Sequence, residues 1–224
     1  MNNTQTLKYM YKIQEINKNS EIDDILNTII GDLKNDIAKE KCSKPTEKKA
    51  LSLLRKLQKK SDKTRPALQY VFVDGEKMFF TDAYFLVALN KKESWIDGLN
   101  IFDKEKHGTY PDVKLLLNRT KKAVESGENV SLVIEKKTVD YWKKTVKKED
   151  GKQIVKLHAC DSEENVYNCS FDVQRLDYVL TLLQAEELTI TAHLNSKEAT
   201  DIFQPFLAEN ENGIALVMPV RSYH

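Results

Sequence analysis

Glycine and proline are scarce, seven and five in 224 residues, and no unit of fixed length recurs, so collagen-like and repeat-solenoid architectures are excluded. The three cysteines, Cys42, Cys160 and Cys169, are too few and too unevenly placed for a disulfide framework, which fits a reducing compartment. No stretch approaches the roughly 18 consecutive apolar residues that span a bilayer. The opening MNNTQTLKYMYKIQEI also lacks the uninterrupted apolar core of a signal peptide. These absences predict a cytoplasmic chain with no membrane partner. An excess of one charge is lacking as well: Lys and Arg number 35 against 34 Asp and Glu. No global field draws the chain towards nucleic acid, so any such affinity must come from local segregation of charge.

Signatures of catalysis are equally sparse. There is no Gly-rich phosphate loop, and His107, His158, His193 and His224 stand in no Ser/His/Asp or Cys/His spacing. The one metal hint is His158 and Cys160 on a predicted strand with Cys169 on its neighbour, converging with His193 on zinc, as a zinc-dependent nucleic-acid hydrolase would require. The spacing matches no zinc pattern, and two small buried cysteines beside hairpin histidines account for it more simply. The expectation is a non-enzymatic protein with no cofactor.

Hydrophobic residues make up 41% of the chain, enough for a core. From Ser20 to about Lys41, Ile22, Ile25, Leu26, Ile29, Ile30, Leu33 and Ile37 recur at helical spacing, with Ser20 and Asp23 resembling a capping box. That apolar stripe needs a cover, from the chain itself or from another protein. After the break at 42–45, Thr46 opens a second helix with Leu51, Leu53, Leu54 and Leu57 inward and Lys48, Lys49, Arg55, Lys56, Lys59 and Lys60 outward. Asp74-Gly75 then separates two β-rich runs, a hairpin signal. Residues 91–108 read as a polar connection. A strand at about Val130 to Glu135 leads to a helix opened by Thr138, with Val139, Trp142 and Val146 inward and Lys143, Lys144, Lys147 and Lys148 outward. The runs QIVKLHAC and VYNCSFDV form another hairpin, and a helix follows Asp172 with Val173, Leu176, Leu180 and Leu183 inward. Strands are expected at Leu188 to Leu194, around Ile202 to Leu207, and at Ile214 to Pro219. The order predicts an α+β fold with helices packed on one face of an antiparallel sheet.

Three landmarks occur in an order that resembles the bacterial sliding clamps, the beta subunits of DNA polymerase III. The run FDVQRLDYVLTLLQAEELTI followed by DIFQPFLAENENGIALVMPVR is similar to their third domain, including the ending Met218-Pro219-Val220-Arg221. RPALQYVFVDGEKMFFTDAYFLVAL resembles the strand pair that leads into Thr-Asp-Gly-His-Arg-Leu, and Tyr110-Pro111-Asp112 resembles the Phe-Pro-Asp joining the second and third domains. Ala83, Tyr84 and Phe85 replace the Gly-His-Arg run, the first domain has no counterpart, and the second half of the middle domain is missing between Leu89 and Tyr110. The resemblance implies a DNA-clamp-like fold: a helical extension over 1–45, a partial clamp-like domain over 46–119 and a clamp-like C-terminal domain over 120–224.

The resemblance also implies an apolar groove for linear peptides carried by replication or repair proteins. The matching positions are Thr81, Tyr84, Leu86, Pro111, Leu115, Leu116, Phe171, Pro205, Val217, Met218, Pro219, Val220 and Arg221. These are equally the residue types of sheet cores and edges, and Tyr84 and Phe85 are large enough to fill the groove themselves. It further implies duplex DNA, bound without sequence readout, against Lys49, Arg55, Lys56, Lys59, Lys60, Lys143, Lys144, Lys147 and Lys148, although such faces are common solvated surfaces. A shortened chain would tether partners on DNA as a homo-oligomer, or serve as an adaptor of mobile-element type that binds a protein partner without encircling DNA.

Overall fold

The computed structural model describes residues 2–16, 20–60 and 64–221. Three helices open the chain: α1 (Asn3–Ile16), α2 (Ser20–Glu40) and α3 (Pro45–Lys60). α1 was not expected from the sequence; its half-buried positions Asn3, Thr6, Leu7, Met10 and Gln14 keep helical spacing, but only Leu7 and Met10 among them are strongly apolar. The proposed Ser20 cap lies outside the described side chains. A 3-10 turn at Pro66–Gln69 leads to β1 (Phe72–Asp74), β2 (Lys77–Thr81) and β3 (Phe85–Asn90), with the Asp74-Gly75 turn where it was predicted.

The connection at 91–108 holds two single-turn helices, α4 (Glu93–Ile96), anchored by the buried Trp95, and α5 (Lys104–His107), capped by Asp103. Next comes α6 (Val113–Ser126), a helix the sequence reading passed over, and the domain boundary expected at 119/120 falls inside it. β4 (Asn129–Glu135), α7 (Lys136–Thr145), β5 (Ile154–Cys160), β6 (Val166–Asp172), α8 (Val173–Leu182) and β7 (Glu187–His193) follow within a few residues of their expected bounds. β8 (Phe206–Asn210) starts later than expected, because Ile202 instead donates its N–H to Asn168 on the edge of β6. β9 (Gly213–Val217) ends the last hairpin.

The nine strands form one sheet in the order β1-β2-β3-β9-β8-β7-β4-β5-β6, with every pairing antiparallel. Period-two alternation decides which side chains face which layer. On β2, β3, β8 and β9 the residues Met78, Phe80, Phe85, Val87, Phe206, Ala208, Ala215 and Val217 join the main core with α3, α7 and α8. Their neighbours Phe79, Leu86, Ala88, Leu207 and Leu216 face the other way, onto Val113 and Leu117 of α6. α8 lies between α3 and α7, and Asp172 caps it by accepting the Gln174 N–H at 3.0 Å. α2 packs over α3 from outside, with Ala38 and Cys42 against the Leu51 and Leu54 layer. The sequence period thus placed the three principal helices on one face, and α6 is an added layer on the opposite face.

Candidate functional site

A cavity of about 530 Å³ opens on the α6 side of the sheet. Its walls come from three pieces of chain that are distant in sequence. The 3-10 turn supplies Pro66, Ala67 and Leu68, the β2–β3 hairpin supplies Thr81, Ala83 and Leu86, and the start of α6 supplies Pro111, Val113 and Leu116. Arg65, His107, Thr109 and Asp112 stand on its polar margin.

Each wall is held by a local device. The Thr81 hydroxyl donates to the Phe85 carbonyl at 2.7 Å and accepts the Ala83 N–H at 3.1 Å, while Asp82 accepts the N–H groups of Tyr84 and Phe85. Asp112 caps α6 by accepting the Leu115 N–H at 2.9 Å, which aims Val113 and Leu116 inward one turn apart. Beneath Pro111, the Tyr110 ring packs against Phe72 and Phe102, and its single hydroxyl proton is shared between the carbonyls of Tyr70 and Phe79, at 3.3 and 3.4 Å. Burial pushes the Tyr110 phenol well above its ordinary range, so it remains a neutral donor. His107 stacks on Tyr70 with ring centroids 3.7 Å apart, and its Nδ1 accepts the Asp103 N–H, which leaves the proton of the neutral ring on Nε2 facing away from that bond.

Thr81, Leu86, Pro111 and Leu116 of the expected groove therefore line one cavity. Leu115 is exposed on the outer side of α6. Tyr84 does not fill the cavity: its ring is half exposed beneath the Arg175 guanidinium, 4.1 Å from the centroid. Phe85 is buried on the helix side against Phe80 and Tyr178, as are Phe171 and Val217 in the main core. The tail lies beside the hairpin, with Val217 paired to Phe85 and the Met218 N–H donating to the Tyr84 carbonyl at 3.0 Å. From there Val220 donates to Ser170 on β6, Pro219 is buried, Pro205 is half-buried, and Arg221 lies over the Phe203 ring. These tail residues do not line the cavity. Alternation along β3 and β9 turns Phe85 and Val217 to the helix side, and beyond β9 the chain runs across to β6, where Val220 is bonded. The 3-10 turn was missed as a wall, and so was Val113 of α6, although Asp112 followed by Val113, Leu116 and Leu117 was a legible cap and apolar stripe.

No protein-family model matches this chain, and no curated relative matches it in sequence. Solved structures do match. The DNA polymerase sliding clamp of Bacillus subtilis superposes with a TM-score of 0.51 at 18% identity, over 80% of this chain and 63% of that one. The fold is that of a bacterial sliding clamp. The beta subunit of Streptococcus pyogenes (TM-score 0.47, 15% identity, 77% and 64% covered) and the Helicobacter pylori beta clamp bound to a DNA ligase peptide (0.47, 11%, 76% and 63%) are further matches. The chain spans less than two thirds of the length of these clamps.

Within this clamp fold the two basic helices flank α8 on one face of the sheet. Lys49, Lys56, Lys60, Lys144, Lys147 and Lys148 are exposed and have no carboxylate within ion-pair distance among the described residues. Three expected phosphate contacts are otherwise engaged. Arg55 turns inward, half-buried, and donates to the Asn100 side chain, because α2 covers that flank of α3 and Gly31 leaves room for the guanidinium. Lys59 pairs with Asp32 of α2 at 2.7 Å, and Lys143 pairs with Asp177 at 2.8 Å. The zinc hint dissolves in the register: His158 and Cys160 are exposed on one face of β5, while Cys169 is buried on the other beside the Leu157 carbonyl. Burial pushes the Cys169 thiol up to about 12, so it stays protonated. Among the described residues no group of three His, Cys, Asp or Glu is placed to hold a metal ion, and no helix is long and apolar enough to cross a membrane.

Proposed function

We propose that the chain is a non-catalytic clamp-fold scaffold that holds a partner protein by a short apolar peptide seated between the 3-10 turn, the β2–β3 hairpin and the start of α6. The cavity itself carries this reading. It is open, of a size to accept one or two large side chains, and walled mainly by Pro66, Leu68, Leu86, Pro111, Val113 and Leu116 with a few polar groups at its margin. Replication and repair proteins with clamp-binding peptides are the proposed partners.

The test is the fluorescence anisotropy of a labelled clamp-binding peptide titrated with the full chain. Leu116→Asp places a charge in the cavity wall on a side chain that is 45% exposed, so the fold should survive while affinity drops at least tenfold. Met218→Asp, outside the cavity, should leave affinity within about twofold, since it removes none of the buried apolar contact. Equal binding by the wild type and Leu116→Asp, or failure of the wild type to bind, would reject the reading.

A second proposal concerns DNA. The six exposed lysines on α3, at the end of α7 and in the loop after it, where Lys147 and Lys148 lie rather than on the helix as expected, are suited to sequence-independent phosphate contacts. The α2 cover over Arg55 and Lys59 favours an adaptor that touches DNA from one side or not at all over a chain that encircles it.

A further inference from the structure

We infer that the α1–α2 hairpin is a self-association surface, and that two copies of this chain pair through it as an antiparallel four-helix bundle. The two flanks of the hairpin differ. One carries the polar ties between the helices, Gln14 to Asn27 at 2.8 Å and Lys34 over the Tyr11 ring at 5.6 Å. Helical periodicity and these ties put the remaining large apolar residues on the opposite flank: Tyr9, Ile13 and Ile16 at spacings of four and three on α1, and Ile22, Ile25 and Ile29 at three and four on α2. They are 38–79% exposed. Six half-exposed side chains in one stripe leave on the order of 500 Å² of apolar surface, well beyond scattered single residues.

Two observations select a second copy as the occupant. α1 packs only against α2, through the half-buried Asn3, Thr6, Leu7, Met10 and Gln14, and has no fully buried residue; a 14-residue helix so thinly covered is marginal in water. A cover that the hairpin needs in order to stand must be present whenever the chain is, and another copy meets that condition. Two such faces together cover about 1,000 Å², the size a specific interface should reach. Charge then selects the arrangement. α1 carries Lys8 and Lys12 against Glu15, whereas α2 carries Asp23, Asp24, Asp32, Asp36 and Glu40 against Lys34 and Lys39. A two-fold axis along the hairpin lays α1 over the second copy's α2 and brings Lys12 beside the acidic edge at Asp32, whose carboxylate also pairs with Lys59 of its own chain. The alternative, α2 on α2, sets acid against acid.

Sedimentation equilibrium of the full chain at micromolar concentration is the test. The wild type should sediment at twice its 25.8 kDa. Ile16→Glu and Ile25→Glu should each weaken the dimer at least tenfold. Lys12→Glu, at an exposed side chain, should weaken it severalfold. Peptide anisotropy on the same samples reports the groove separately, so loss of dimer with peptide binding intact separates this proposal from the previous one. A monomeric wild type, or a dimer indifferent to Ile16→Glu and Ile25→Glu or to Lys12→Glu, would overturn it.

Discussion

Ala83 has a φ of 74°, in the left-handed region that a Cβ disfavours, yet the β2–β3 hairpin needs that conformation to bring Asp82 under the N–H groups of Tyr84 and Phe85. The sliding clamps that the sequence resembles have glycine at the matching position. The strain of a non-glycine residue there costs about 1–2 kcal/mol, partly offset because alanine has less freedom to lose on folding. Ala83→Gly should therefore raise stability by about 0.5–1 kcal/mol in urea unfolding, with no change in the slope against denaturant. Tyr84 beside it illustrates a different lesson at this scale. An exposed aromatic in a predicted groove position was free to turn away, and the Arg175 guanidinium offered a better surface than the cavity.

Between elements, the junction of α3 with the α4 segment rests on one carboxylate. Glu47 accepts the Ser43 N–H at 3.0 Å and the Ser43 hydroxyl at 3.1 Å, and it forms a close ion pair with Lys92, whose ammonium also lies over the Trp95 ring. The Lys92 hydrogen bond is the chief cause holding the Glu47 carboxyl below its ordinary value of 4.5. A carboxyl with a depressed folded-state value contributes stability that is present above its unfolded value and is lost as pH falls through the folded one. Glu47→Gln should accordingly destabilise the chain by about 1–2 kcal/mol at neutral pH. That difference should shrink as unfolding is measured at successively lower pH beneath 4.5. Helix α6 belongs to this scale too. It was passed over because its outward face is polar and its inward face is only a narrow stripe of Val113 and Leu117, so its weight comes from packing on Leu86, Leu207 and Leu216, which sequence spacing alone does not reveal.

For the molecule as a whole, the single nine-stranded sheet fixes which surfaces can act together. The cavity lies on the α6 side and the basic helices on the other, so peptide docking and DNA contact are physically separable. Lys56→Glu, Lys60→Glu, Lys144→Glu and Lys148→Glu combined should abolish most duplex retention and, where all four meet phosphates, flatten the logarithmic salt dependence by about 3–4. Peptide affinity should be unchanged in the same protein. Unaltered DNA retention would place the nucleic-acid surface elsewhere, and no retention by the wild type would favour the adaptor.

The amphipathic periods of α2, α3, α7 and α8, the hairpin turn at Asp74-Gly75 and the strands from β4 to β7 are local properties, set by side-chain spacing and turn chemistry, and they were legible in the sequence together with the clamp-like order of landmarks. The cavity was legible only in part. Thr81, Leu86, Pro111 and Leu116 were identified, but their meeting with Pro66 and Leu68, and the diversion of Phe171 and Val217 into the core, depend on which face of the sheet each strand residue takes and on where α6 packs. Likewise the sequence showed an apolar stripe on α2 in need of cover. Only the tertiary structure decided that Leu26 and Ile30 are covered within the chain while Ile22, Ile25 and Ile29 are not, because a helix flanked by neighbours on two sides still presents a third to its surroundings.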